Sequence, residues 1–575
     1  MNTQNHINKK TISVILLFFI SLFVWMIWQF NFDYMISGSD TFFHTQRVYE
    51  IRQAFLNGNL PSWLNFDTFF SAGQAVNGMY PDFTLWPFVF FTNMLSPIHQ
   101  VIAIKVLIAA MTFVVTFLSL NKRYNSFNSS MAALIFTYSG AVLRDITTEF
   151  QPGTAIVLAF AFPIVFVFKD IIESKKINYV LAIKLGLLMT IVVNSHLLSA
   201  VAISMVAGVF LIVKSIKNRT IAPWINSIIA GVITIILCLP IIYRVITISK
   251  TGLLPPFGQG NIIADPITLL FANSKWNARV AFSTLSLIIL MIVMIGFDKK
   301  KIKNLLPWIL VESLLIILST DMTPWAIFNH VPVINSFQES GWRFALFLGI
   351  VPILLLLENF KEHTSQFILI LLSVLSISAA TQVTTNYAYN HGQGLSTLTS
   401  ESSKDVGLNE DVKLTSSGIN SERIQRTLIP DYAPNQVALE PNSNGQSLSF
   451  DVQNKLKNHW ITQGNHHIRL TKTASTTDSV TYRGKNIKNG NLELPILGYS
   501  SLNYNVTING KSAKWTTDNN GFLTIHNAKD LNSANITVIN TYPHVYPYMI
   551  WISFVLFLAL VGYIGYDLSK QKRDL

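Results

Sequence analysis

Residues 31–63 read NFDYMISGSDTFFHTQRVYEIRQAFLNGNLPSW, and residues 70–83 read FSAGQAVNGMYPDF. They belong to the first long gap, Asn31 to Asn93, in an otherwise very apolar N-terminal half. Just beyond an apolar run, the gap sets out Asp40, His44 and Arg47, then Trp63, Asp67 and Asp82, with paired glycines. A plain connecting loop needs none of that spacing. A place where a charged, membrane-tethered substrate meets an acceptor could use all of it.

Composition sets the class. Half of the 575 residues are hydrophobic and 13% are charged, about half the charge of an average soluble domain. The chain reads as a polytopic α-helical membrane protein. Its lone cysteine, Cys238, cannot form an internal disulfide. The net charge of +12 collects in short gaps between apolar runs, where it reads as a topology signal and not as a nucleic-acid footprint. No nucleic acid is expected as a partner.

Working outward, the run Thr11 to Phe30 follows Lys9 and Lys10 and closes on WMIWQF. It is too long for a signal-peptide core and reads as an uncleaved first span with an aromatic belt. Hydropathy suggests about 12 spans, roughly 11–30, 98–119, 129–142, 153–169, 178–194, 196–216, 223–243, 280–297, 304–320, 342–358, 365–382 and 547–566. With the N-terminus inside, every inner gap carries Lys or Arg, the Lys299–Lys301 run included. Both termini are then cytoplasmic. The long first outer loop, 31–97, holds DFTLWPFVFF (82–91), which Pro87 marks as an interfacial or re-entrant helix.

Residues 383–546 change character. They are rich in Ser, Thr and Asn, and patches such as SVTYRGK, YNVTING and ANITVINTY alternate with period two. Asn509-Gly510 and Asn520-Gly521 mark turns. The expectation is a β-rich extracytoplasmic domain before the last span. The domain reading is therefore 1–382 transmembrane, 383–546 β-rich, and 547–575 last span with a basic tail.

Asp40, His44 and Arg47 are spaced by four and three, so a helix would put them on one face. Asp40 is expected to accept a proton, or else simply to cap that helix. His44 and Arg47 are expected to meet a phosphate. Arg144, Asp145 and Glu149 fill a short outer gap, and two acids there need a cation or a proton between them. In the late outer gap, Gln338 and Arg343 flank the start of a span, where an arginine can snorkel or neutralise a lipid phosphate. Arg244 and Arg279 are weaker candidates. Lys105, inside a span, must snorkel or pair. His196, in a turn between two spans, reads as structural. No P-loop, HExxH or CxxC occurs.

Several stretches together carry a family resemblance: GSDTFFHTQRVYEIRQAFLNGNLPSW with GQAVNGMYPD, YSGAVLRDITTEFQPG, INSFQESGWRF, and DYAP at 431–434. The chain resembles the YfhO-like and 6-pyruvoyl-tetrahydropterin synthase-related bacterial membrane proteins of the GT-C glycosyltransferase superfamily. That resemblance implies a GT-C-like transmembrane domain and a polyprenyl-phosphate-linked sugar as donor. It implies an envelope glycopolymer, such as a teichoic acid, or a glycolipid as acceptor, and location in a bacterial cell membrane among membrane lipids. Asp40 then matches the first-loop acid, Arg144 with Glu149 the second outer motif, and Gln338 with Arg343 the late motif at the donor phosphate. Tyr80 and Pro81 keep the first-loop pair, whereas Gly341 stands where the family usually has proline. No organic cofactor is implied. A divalent cation, if one is used, would take Asp40, Asp145 and Glu149. The rival readings are a non-catalytic envelope scaffold and a transporter of lipid-linked glycans.

Overall fold

The computed structural model describes residues 8–38, 40–254, 284–328, 330–331, 341–407, 410–442, 445–464 and 466–573. It is a polytopic helical membrane protein with a β-rich region before its last span.

Among the described residues, five helices are long and apolar enough to cross a membrane: Lys9–Phe30, Pro97–Leu120, Leu197–Ile216, Glu362–Tyr389 and Val545–Lys570. Two further pairs could each make one bent span. Pro152–Ala159 meets Ala161–Glu173 at 47°, and Ala222–Leu237 meets Leu239–Ser249 at 66°. The count is thus five to seven, and the expected twelve is corrected downward.

The reasons are physical. Pro240, which lacks an amide hydrogen, breaks the helical ladder at the sharper bend. The helices Tyr179–Val193 and Ile302–Leu318 have 15 and 17 residues. At about 1.5 Å per residue, neither reaches a hydrocarbon thickness of about 30 Å. The run at 129–142 divides into Ser126–Thr137 and Gly140–Ile146, and every residue of the first piece except Phe127 is buried. It is apolar because protein surrounds it, and hydropathy cannot separate that from lipid.

The first loop is folded rather than slack. Tyr34–Ser37 pairs antiparallel with Val412–Thr415, in register Tyr34 to Thr415, and Thr397–Leu398 adds a parallel third strand. Asp40–Leu56 forms a helix directly afterward. Trp86–Phe91 is a short helix with Phe90 and Phe91 exposed, as suits an interfacial segment.

The β-rich region builds two five-stranded sheets. One runs Trp515–Thr517, Phe522–Asn527, Gly490–Leu497, Trp460–Gln463, His466–Arg469; the other Lys511–Ser512, Tyr504–Ile508, Leu531–Asn540, Ser479–Ile487, Thr471–Ser475. Asn509 and Gly510, both at positive φ, turn one hairpin. Buried Val480, Tyr482, Ile496 and Ile536 share a core with Trp63, Phe66 and Phe70 of the first loop. Loop and β region therefore bury apolar surface together.

Candidate functional site

The site begins where the chain leaves its first span. Gly38 lies so close to the β region that a Cβ there would sit 1.5 Å from Asp411 Oδ1. Asp411 in turn meets His391 Nε2 at 2.8 Å. Only glycine lets the strand dock this closely, and the docking fixes where the next helix starts. Asp40 is that helix's first residue, exposed, and its Oδ2 accepts a hydrogen bond from Gln151 Nε2.

The segment is helical, and it leaves Asp40 exposed while it buries His44 and Arg47. They are 3% and 1% exposed. Arg47 donates to Pro81 O at 2.8 Å and to His44 Nδ1 at 3.2 Å. Its guanidinium lies 4.1 Å from the Tyr80 ring centroid, a cation–π distance. Burial, then the charges of Arg47, His196 and Arg144, hold His44 well below the usual imidazole range. His44 is therefore neutral, with Nδ1 accepting and the proton on Nε2.

The second motif packs behind Asp40. Arg144 donates to Asp145 Oδ1 at 3.0 Å and lies 3.6 Å from Glu149 Oε2. Asp145 is completely buried and also accepts from Thr154 Oγ1. Burial pushes its carboxyl up to about 6, against the pull of Arg144 and Thr154. Arg144 stands between the two acids. Asp40, Asp145 and Glu149 do not gather as a cation site. Among the described residues, no group of three or more His, Cys, Asp or Glu side chains is placed to hold a metal.

Arg343, 7% exposed, comes from the late segment. Gln338, Glu339 and Arg279 lie outside the described residues. Tyr80 shows how closely the parts converge. Burial pushes its phenol up to about 12, Arg47 and Arg343 pull it back, and Asp40 and Asp145 push it further. One hydroxyl thus feels charges from three separated stretches.

Three residues join the site without having been singled out as site residues. Tyr80 stood out only as half of a family pair. His196, read as structural, caps the helix Leu197–Asn218 through Nδ1 and lies 5.9 Å, ring to ring, from Tyr80. It can come this near because Gly153 packs on Ser195, where a Cβ would stand 2.5 Å from the carbonyl oxygen. Tyr432, of the DYAP stretch, takes a positive φ of 62°. Burial first, then Asp431 and Tyr80, raise its phenol, while Arg47 and Arg343 oppose the rise. Its backbone is held by Tyr499 Oη, which donates to Tyr432 O at 2.9 Å. Arg244, by contrast, pairs with buried Asp82 and donates to Tyr80 O and Tyr546 Oη.

No family model matches the chain. No curated protein matches it either. Among solved structures it is similar to ArnT from Cupriavidus metallidurans bound to undecaprenyl phosphate, at TM-score 0.39 and 13% identity over 65% of this chain and 69% of that one. It is also similar to the arabinofuranosyltransferase AftD from Mycobacteria, at TM-score 0.40 and 10% identity over 92% of this chain and 40% of that one. At these scores the likeness carries no argument about this chain's fold or chemistry.

Proposed function

We propose that this chain is a membrane glycosyltransferase of the GT-C kind. It moves a sugar from a polyprenyl-phosphate donor to a hydroxyl of an envelope glycopolymer or glycolipid outside the cytoplasm. Both termini are cytoplasmic in this reading, as the lysine-rich gaps suggest.

One observation carries the proposal. Exposed Asp40 is tied by Gln151 to the turn that holds Asp145 and Glu149, beside a phenol that feels buried Arg47 and Arg343. An acid open to an acceptor, next to buried guanidinium groups, suits displacement of a phosphate. Asp40 takes the proton from the acceptor hydroxyl. The oxygen attacks the anomeric carbon, and the bond to phosphate breaks with its electron pair. Arg47 and Arg343 stabilise the charge that develops there. Asp145, buried and bonded to Arg144 and Thr154, sets the geometry rather than attacking. A single base then implies inversion at the anomeric carbon.

The test compares envelope polymers from deletion, wild-type and Asp40→Asn strains by mass spectrometry, with the protein quantified in the membrane. Loss of one sugar modification in the deletion and Asp40→Asn strains, at normal membrane level, supports the reading. An Asp40→Asn strain whose polymers match wild type ends it.

A further inference from the structure

A groove of about 280 Å³ runs between three membrane helices and the short helix Gly140–Ile146, which adds Leu143 and Ile146. Helix Lys9–Phe30 contributes Trp25 and Trp28, helix Pro97–Leu120 contributes Ala109, and helix Glu362–Thr385 contributes Ile377, Ala380 and Thr384. Its rim is open to the side, where Val24 is 60% exposed. A smaller chamber meets the groove at Thr384, and its lining is mixed: Gln29, Lys105, Thr147 and Tyr387 set polar groups beside Phe32 and Met35.

The same helix faces supply both spaces. Trp25 and Gln29, Ala109 and Lys105, and Ala380 and Thr384 are each four apart, one helical turn. Along each pair the lining changes from apolar to polar. From Ser21 at the far end of the groove to Gln29 in the chamber is about 12 Å of helix rise. That gradient matches an amphiphile lying along a bilayer leaflet, with its chain in the groove and its head in the chamber.

Charge identifies the head. Lys105 is 4% exposed inside a membrane helix. Its contacts are Thr147 O at 3.3 Å and the Phe150 ring at 5.3 Å, and among the described residues no carboxylate pairs with it. A buried ammonium among dipoles alone is costly, and an anion completes it. The chamber is about 30 Å³, room for a phosphate oxygen and too small for a sugar ring. None of Asp40, Asp145 and Glu149 lines it.

We propose that this groove and chamber bind one anionic phospholipid of the surrounding leaflet, its acyl chain along Trp25, Ala109 and Ala380 and its phosphate at Lys105. The lipid is a bound partner and does not react. It meets the site through Thr147, which opens the turn that carries Glu149 and Gln151, and through the helix Gly140–Ile146, whose Leu143 and Ile146 line the groove.

Native mass spectrometry of the full chain tests this, with dioleoylphosphatidylglycerol, dioleoylphosphatidylcholine and undecaprenyl phosphate added separately. Wild type should retain phosphatidylglycerol about tenfold better than phosphatidylcholine. Lys105→Met should bring the two to parity, Lys105→Arg should keep the preference, and Ala380→Trp should lower retention of both. Equal retention by wild type, or a preference unchanged in Lys105→Met, overturns the proposal. So does Lys105 dependence confined to undecaprenyl phosphate, which would make the groove a donor site. None of these readouts depends on glycosyl transfer.

Discussion

Asp82 and Arg244 form an ion pair at 2.8 Å with both side chains completely buried. The pair joins the first loop to the helix Leu239–Ser249, directly below the Tyr80–Pro81 backbone that receives Arg47. Arg244 also reaches Tyr546, at the start of the last span. The floor of the site therefore depends on three distant segments meeting at one charge pair.

Removing one member strands the other in a dry interior. Asp82→Ala should lower stability by about 3–5 kcal/mol, whereas replacing both residues with apolar ones of similar volume should cost much less. Thermal unfolding of the purified protein, scored for the single and double variants, checks the order.

Asp40 and Asp145 should separate in their effects. Asp40 is exposed, so Asp40→Asn should leave the melting temperature near wild type while transfer falls about 10²- to 10⁴-fold, as loss of a general base does. Asp145→Ala should also unfold the protein more readily, because it removes the buried carboxylate that pairs with Arg144 at 3.0 Å. If Asp40→Asn melts early and Asp145→Ala does not, the roles are reversed.

Two glutamates give opposite pH dependences. Glu50 is buried, and burial first, then Asp67, raises its carboxyl well above the usual range. The folded state holds this proton more tightly, so its contribution is full below the unfolded value and is lost as pH rises through the raised folded one. Glu50→Gln keeps the acceptor for the Asp67 and Thr68 amides and should gain stability over wild type as pH rises. Glu422 is held down to about 2, its burial outweighed by His459 and Lys472. Its contribution is present above the usual glutamate range and is lost as pH falls toward 2. Denaturant midpoints across pH for wild type, Glu50→Gln and Glu422→Gln should diverge in those two directions.

Tyr80 offers a finer test. Tyr80→Phe keeps the ring against Arg47 and should leave stability within about 0.5 kcal/mol. Tyr80→Ala loses the cation–π contact, worth about 0.5–2 kcal/mol, along with ring contacts to Phe43 and His44. Unfolding midpoints of the two variants check the difference.

Short-range pattern was readable in the sequence. The period-two patches at 479–487, 504–508 and 531–540 are strands, and Asn509-Gly510 turns a hairpin. The spacing of Asp40, His44 and Arg47 is compatible with a helix, and the segment is one. Even locally, QSLSFDV (446–452) alternates as a strand does, yet a helix begins at Phe450. What depends on distant partners could not be read. Nothing in YMIS says that it pairs with Val412–Thr415, and nothing in His196 says that a glycine on another helix admits it beside Tyr80. The span count failed for the same reason, because an apolar residue looks alike whether lipid or protein surrounds it.

The pairing of Tyr34–Ser37 with Val412–Thr415 also sets an order of events. A ribosome makes the first loop early, but the strand that seats it emerges only after most of the helices have been synthesised. The first loop therefore lacks that strand through most of translation, and a nascent chain that stalls before it carries Asp40, His44 and Arg47 without the strand that seats the loop.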